Sequence, residues 1–238
     1  DNGSYGLFAD GSYSPIEVYS SSVSDNNSYG IYTNENYSHV IVHDSFINDN
    51  NSYGIHTNQS WSYIEVRRSD VMRNNASGIY MSGSNNSEGH TLTVEHSRVI
   101  DNNGHGLCSS GMTDVDNTVI ADNSSYGIRT CYASNINYAT ILHNQNHGIY
   151  NDCGYYLDIT NSILFDNDWG NYHHQIYNNG YLSVRYSIVE AYDGFGVDGS
   201  DGEDSDGKCP ADGICKKDIG SAVGNDLYTK DDTLTFGK

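Results

Sequence analysis

Two prolines are all that this 238-residue sequence contains, and no lysine occurs before Lys208. Eleven Lys and Arg stand against 31 Asp and Glu, for a formal net charge of −20. Binding to nucleic acid or to an anionic membrane needs clustered cations, so this balance argues against both and favours cations or neutral glycans as partners. No run of about 18 apolar residues is present to span a membrane, and no basic-plus-apolar segment opens the chain. The absence of an initial Met points to a mature or excised chain. Hydrophobic residues make up only 36%, against about 45–50% in ordinary globular proteins, which by itself would suggest disorder. The 21 tyrosines oppose that reading, because disordered chains are poor in aromatics. The five cysteines all lie from Cys108 onward, which fits an exported, extracellular or cell-surface protein and leaves at least one outside any internal pairing.

What the chain has instead is a repeat. Ser69-Asp-Val-Met-Arg-Asn-Asn-Ala-Ser-Gly-Ile-Tyr80 returns with small changes along most of the sequence. Aligned on the small residue that opens each copy, the repeats start at Ser21, Ser45, Ser69, Ser97, Thr118, Ala139 and Asn161, giving lengths of 24, 24, 28, 21, 21 and 22. A glycine follows nine residues later, from Gly30 to Gly170, and an asparagine five residues later, from Asn26 to Asn144, with Asp166 in the last copy. Periods of 20–50 residues signal solenoids. Alternation such as Ile64 and Val66, then Val71, then Ile79 predicts three short strands per repeat, and the period of two excludes helical repeats.

This pattern resembles the right-handed parallel β-helix family over residues 1–190. The resemblance implies an all-β fold, a three-strand parallel β-solenoid of about eight coils on the order of 40 Å long. It also implies that Asn26 through Asn144 form a ladder of stacked amides that satisfies the groups at one turn. The recurring glycine is expected to supply positive φ at the turn entering the next strand. Residues 191–238 form an acidic, cysteine-containing appendage in which Leu227–Thr229 and Thr233–Phe236 are expected as short strands. The segments around Asn161–Leu164 and Tyr186–Glu190 look like the ends of bacterial extracellular β-helix proteins.

Four groups of residues could carry function. Asp198, Asp201, Glu203, Asp204 and Asp206, spaced by glycines, offer hard oxygen ligands suited to calcium, although Gly202 and Gly213 break the EF-hand pattern; the alternative is a solvated acidic turn. No organic cofactor is implied. Phe8, Tyr32, His56, Tyr80, Cys108, Arg129 and Tyr150 form a column expected to face outward, suited to glycan stacking, to partner contact, or simply to stacking between coils. A companion column, Tyr5, Tyr29, Tyr53, Ser77, His105, Tyr126, His147 and Trp169, precedes the glycines. On the second strand's outer face lie His43, Asp44, Glu65, Arg67, Arg68, Glu95 and His96. Polysaccharide lyases and glycoside hydrolases of β-helix fold place carboxylates and a basic residue on such a face, while a mixed-sign cluster also fits cross-strand ion pairs.

Cys131 and Cys153 sit near enough on successive coils to bridge, with Cys209 and Cys215 closing a loop in the appendage; Cys108–Cys131 is the rival pairing. His105 and His147 are two coils apart, about 10 Å, too far for one zinc, and His173 and His174 would point opposite ways. Eight Asn-x-Ser sequons begin at Asn2, Asn26, Asn36, Asn50, Asn58, Asn75, Asn85 and Asn123. Asn2, Asn26, Asn50 and Asn123 are ladder positions expected to be buried. An ice-binding face would want outward threonines, but Thr33, Thr57 and Thr130 are few and expected to face inward. The leading expectation is a structural surface β-solenoid that binds copies of itself end to end, or other surface proteins, as a filament or adhesin. The other is a carbohydrate-active enzyme or module acting on a polysaccharide.

Overall fold

The structure, a computed structural model, describes residues 2–83, 90–167 and 175–189, with the backbone of Val197–Asp198, Leu227–Lys230 and Thr233–Leu234. The chain winds into a β-solenoid with three sheets of nine, eight and ten strands, each strand pairing in parallel with its counterpart one coil away; Thr233–Leu234 alone pairs antiparallel. One coil shows the plan. Ile55–Thr57 belongs to the first sheet, Tyr63–Arg67 to the second and Asp70–Met72 to the third, and the next coil repeats them as Ile79–Met81, Thr91–Glu95 and Arg98–Ile100.

Alternation along each strand points one set of side chains inward, so the core is a stack of aliphatic columns. Ile31, Ile55, Ile79, Leu107, Ile128, Ile149 and Ile176 are fully buried in the first sheet, and Ile47, Val71, Val99, Ile120, Ile141 and Leu164 in the third. Each such side chain contributes about 1.5–3 kcal/mol, so a thin column suffices despite the low hydrophobic content. Thr33, Thr57 and Thr130 do face inward.

Polar ladders hold the corners. Asn26 Nδ2 donates to Asn50 Oδ1 at 2.7 Å, and the same bond links Asn50 to Asn74, Asn74 to Asn102, Asn102 to Asn123 and Asn123 to Asn144. The next rung is Asn167, not Asp166, at 2.8 Å from Asn144, followed by Gln175 at 2.6 Å. The last copy therefore opens at Ser162, whose hydroxyl accepts from the Ala139 amide, and its length from Ala139 is 23 residues. Gln175 precedes Ile176, which pairs with Ile149, so it occupies the place the repeat gives to glycine; Gly170 lies outside the described residues. Asn2 bridges Asn26 but is exposed, contrary to the burial expected at a ladder position.

The opening serines form a second ladder that the repeat did not announce. Ser69 Oγ donates to the Arg67 carbonyl at 2.7 Å and accepts from the Ser45 amide at 3.0 Å, so it spans the corner and ties it to the adjacent coil.

Positive φ is not where the glycines are. Gly154 alone among the described glycines has it, at 76°. The left-handed residues stand before each ladder, Asp44, Arg68 and His96 before the serines and Asp49, Arg73 and Asp101 before the asparagines. The glycines answer a different need: a Cβ on Gly54 would lie 2.6 Å from the Gly78 carbonyl and 2.8 Å from Asn74 Nδ2. They leave room for the amide ladder.

Differences in coil length collect mainly at the corner between the first and second sheets. Five residues separate Thr57 from Tyr63, nine separate Met81 from Thr91 and two separate Ser109 from Met112. Beyond residue 190 the sheets continue: Val197–Asp198 pairs with Ile176–Tyr177, and Leu227–Tyr228 pairs with Ile188–Val189. The strand from the tail thus covers this chain's own third-sheet edge.

Candidate functional site

The second sheet sets His39, Ile41 and His43 beside Tyr63, Glu65 and Arg67, and these beside Thr91, Thr93 and Glu95. The intervening Val40, Val42, Ile64, Val66, Leu92 and Val94 are in the core, which turns the first set outward. His43 Nε2 lies 2.7 Å from Glu65 Oε1, and Arg67 Nε lies 3.0 Å from Glu65 and 3.2 Å from Glu95. The Tyr63 hydroxyl donates to the other Glu65 oxygen. Burial pushes the Glu65 carboxyl up, but the Tyr63 and His43 hydrogen bonds and the Arg67 charge outweigh it and hold it below the usual range. Burial and the Glu65 contact raise the Tyr63 phenol to about 12.

Asp44, Arg68 and His96 are not part of that face. They occupy the left-handed corner, where Arg68 donates Nε and Nη2 to Asp44 at 2.7 and 2.8 Å. The Arg68 hydrogen bonds hold the Asp44 carboxyl down. The seven residues therefore divide into a sheet cluster of four around Glu65 and three corner residues, of which Asp44 and Arg68 are paired. A general acid for glycoside cleavage needs a carboxyl held up toward neutral pH, and Glu65 is shifted the other way. The arrangement has the chemistry of cross-strand ion pairs.

The column after the glycines points outward, but the column before them folds over it. Tyr29 stacks on Tyr32 at 4.8 Å and Tyr126 on Tyr150 at 4.5 Å, while Tyr53 lies tilted against Tyr32's neighbour His56 at 5.0 Å. Tyr32, Tyr80, Arg129 and Tyr150 are consequently half-buried, while His56 and Cys108 are buried, with 8% and 7% of their surface exposed. Burial lowers His56 to about 4; burial, aided by the Arg129 charge, does the same to His105. The two columns form one layer of aromatic contacts over the first sheet, some stacked and some edge-to-face. His105 and His147 are separated by Tyr126, which contacts both rings.

A third aromatic row escaped the sequence reading. Tyr13, Tyr37 and Trp61 sit at the corner between the first and second sheets, each with positive φ, stacked at 4.8 and 6.0 Å. All three are exposed. Their spacing of 24 residues was the available signal, since it equals the length of the first repeats.

Cys131 and Cys153 form a disulfide between successive coils with Cα atoms 4.9 Å apart, and Cys108 is a buried free thiol, pushed up to about 11 by burial. Asp198 lies in a strand; the side chains proposed for calcium there and at Asp201, Glu203, Asp204 and Asp206 are outside the described residues. So are Cys209, Cys215, Asn85, Trp169, His173 and His174.

The family model described as "Right handed beta helix region" matches residues 1–88 and 53–205. No curated protein and no solved structure gives a match. The two matched stretches overlap and follow the same coils that the ladders define, and on that agreement the chain belongs to the right-handed β-helix family.

Proposed function

We propose that this chain is a structural β-solenoid of the extracellular space or cell surface, presenting a braced, repetitive exterior and associating with copies of itself end to end. The observation that carries the reading is that the outward side chains are spent on one another. Glu65 is held by His43, Tyr63 and Arg67, Asp44 by Arg68, Asp49 by Arg73 and Asp70 by Arg98. Pairs linking successive coils resist unwinding of the coil, which is the demand on a scaffold rather than on a catalyst. Exposed strand edges are what end-to-end pairing uses. Sedimentation over a wide concentration range, with electron microscopy of the same samples, tests it: concentration-dependent rods support the reading, and a strict monomer at every concentration would overturn the assembly.

A second reading rests on the exposed Tyr13, Tyr37 and Trp61, whose edges and outer faces offer apolar area to sugar rings, with carbohydrate binding or cleavage as the activity. Incubation with a panel of neutral and acidic polysaccharides separates the cases. Retention that Trp61→Ala abolishes supports a binding surface, reducing ends or unsaturated products mark an enzyme, and no retention or product removes this reading.

A further inference from the structure

The disulfide between the coils has a third polar neighbour. One ligand atom each from Cys131, Cys153 and Asp152 lie within 4.8 Å of one another, and Asp152 Oδ1 is 3.2 Å from Cys153 Sγ. We propose that reduction of Cys131–Cys153 converts this corner into a binding site for a thiophilic divalent cation of the zinc class, with two thiolates and the Asp152 carboxylate as ligands and water as the fourth.

The frame is built before any metal arrives. The Cys131 amide donates to the Ser109 carbonyl at 3.0 Å, and Thr130 and Asn151, the residues before Cys131 and Asp152, are paired in register. The coils therefore keep the two sulfurs at coil spacing after the bond between them is cut. Sulfur–zinc bonds of about 2.3 Å and an oxygen–zinc bond of about 2.0–2.2 Å require only small side-chain rotations from that start. All three residues are half-buried, which leaves the corner open to an entering ion. Charge also fits: two thiolates and a carboxylate carry −3, and the cation together with Arg129, whose Nη2 lies 3.5 Å from Asp152 Oδ2, brings +3. The redox step balances. A phosphine and one water reduce the disulfide to two thiols and leave as the phosphine oxide, and the cation then releases two thiol protons to solvent.

The test uses the full chain, reduced with a phosphine, freed of reductant without air and titrated with Co²⁺, which reports thiolate ligation by a near-ultraviolet charge-transfer band and tetrahedral geometry by strong visible bands. In a Cys209→Ser/Cys215→Ser background, which removes the appendage thiols, one equivalent with a charge-transfer band is expected for the reduced chain and no such band for the oxidised chain, with Zn²⁺ erasing the bands. Cys131→Ser should abolish charge transfer at this site, Asp152→Asn should weaken binding on the order of tenfold or more, and Cys108→Ser should change nothing. Equal binding by the oxidised chain, no charge-transfer band after reduction, or a band that survives Cys131→Ser would overturn the proposal. So would loss of the β-sheet circular dichroism on reduction, because the site depends on the coils staying in place.

Discussion

At the residue scale, the glycine column shows most directly how position decides identity. A Cβ on Gly78 would lie 2.7 Å from Val99 Cγ1, 2.8 Å from Asn102 Nδ2 and 2.9 Å from the Gly106 carbonyl. Gly78→Ala should cost about 1–3 kcal/mol in urea unfolding, since these neighbours are core and backbone with little room to shift. Gly3→Ala, which meets nothing within 4 Å, should leave the midpoint unchanged. His56 gives a pH prediction. Its folded-state value near 4 lies below the roughly 6.5 of an unfolded histidine, so the unfolded chain takes up the proton first. The histidine's contribution is fully present above about pH 6.5 and is lost as the pH falls toward 4. Denaturation midpoints measured across that window should fall less steeply in His56→Phe than in the parent; identical slopes would show that burial is not what holds the imidazole neutral. The repeating glycine was legible in the sequence, but its cause was not. A glycine's tolerance of positive φ is a property of that residue alone, whereas a clash with the next coil exists only after the coils are stacked.

Elements are set by ladders and by the bridge between coils. The Cys131–Cys153 disulfide closes a span of 22 residues, and constraining the unfolded chain over such a span is worth about 3 kcal/mol. Reduction should lower the thermal midpoint while leaving the β-sheet signal below the transition intact, and Cys131→Ser should reproduce the shift. Three strands per coil, their order and most of their register were readable from the period of small residue, asparagine and glycine. The final copy was not, because Asn161 and Asp166 mimic Ser162 and Asn167 with a slip of one residue. The stretch up to Gln175 then hides the end of the copy. The left-handed corners were also invisible: Ser20, Asp44, Arg68, His96 and Tyr138 share no chemistry, only a place before the serine ladder. Charge signs pointed to the residues around Glu65 as a cluster, yet which carboxylate pairs with which cation depends on the diagonal between strands, and that requires the register.

For the whole molecule, stability is shared between neighbouring coils, and the ends of the sheets are where it is weakest. Pairing of Leu227–Lys230 with the third sheet gives the tail a structural task. Deletion of residues 227–238 should uncover the Ile188–Val189 edge and raise light scattering at fixed concentration, an outcome expected of an unpaired strand. Unchanged scattering would mean that this edge needs no cover. Composition and period together were enough to give the class of fold, since a column of single aliphatic residues per coil asks for little hydrophobicity. They did not reveal that the aromatics close over one another, because stacking between columns depends on the turn that brings the first column back across the second. The corner between the first and second sheets absorbs from two to nine residues while the serine and asparagine ladders on the other two corners keep step as far as Asn167. Length is thereby uncoupled from pitch. The molecule carries along one side a line of positions where foreign loops can be grafted, one per coil and about 4.8 Å apart, without resetting the winding.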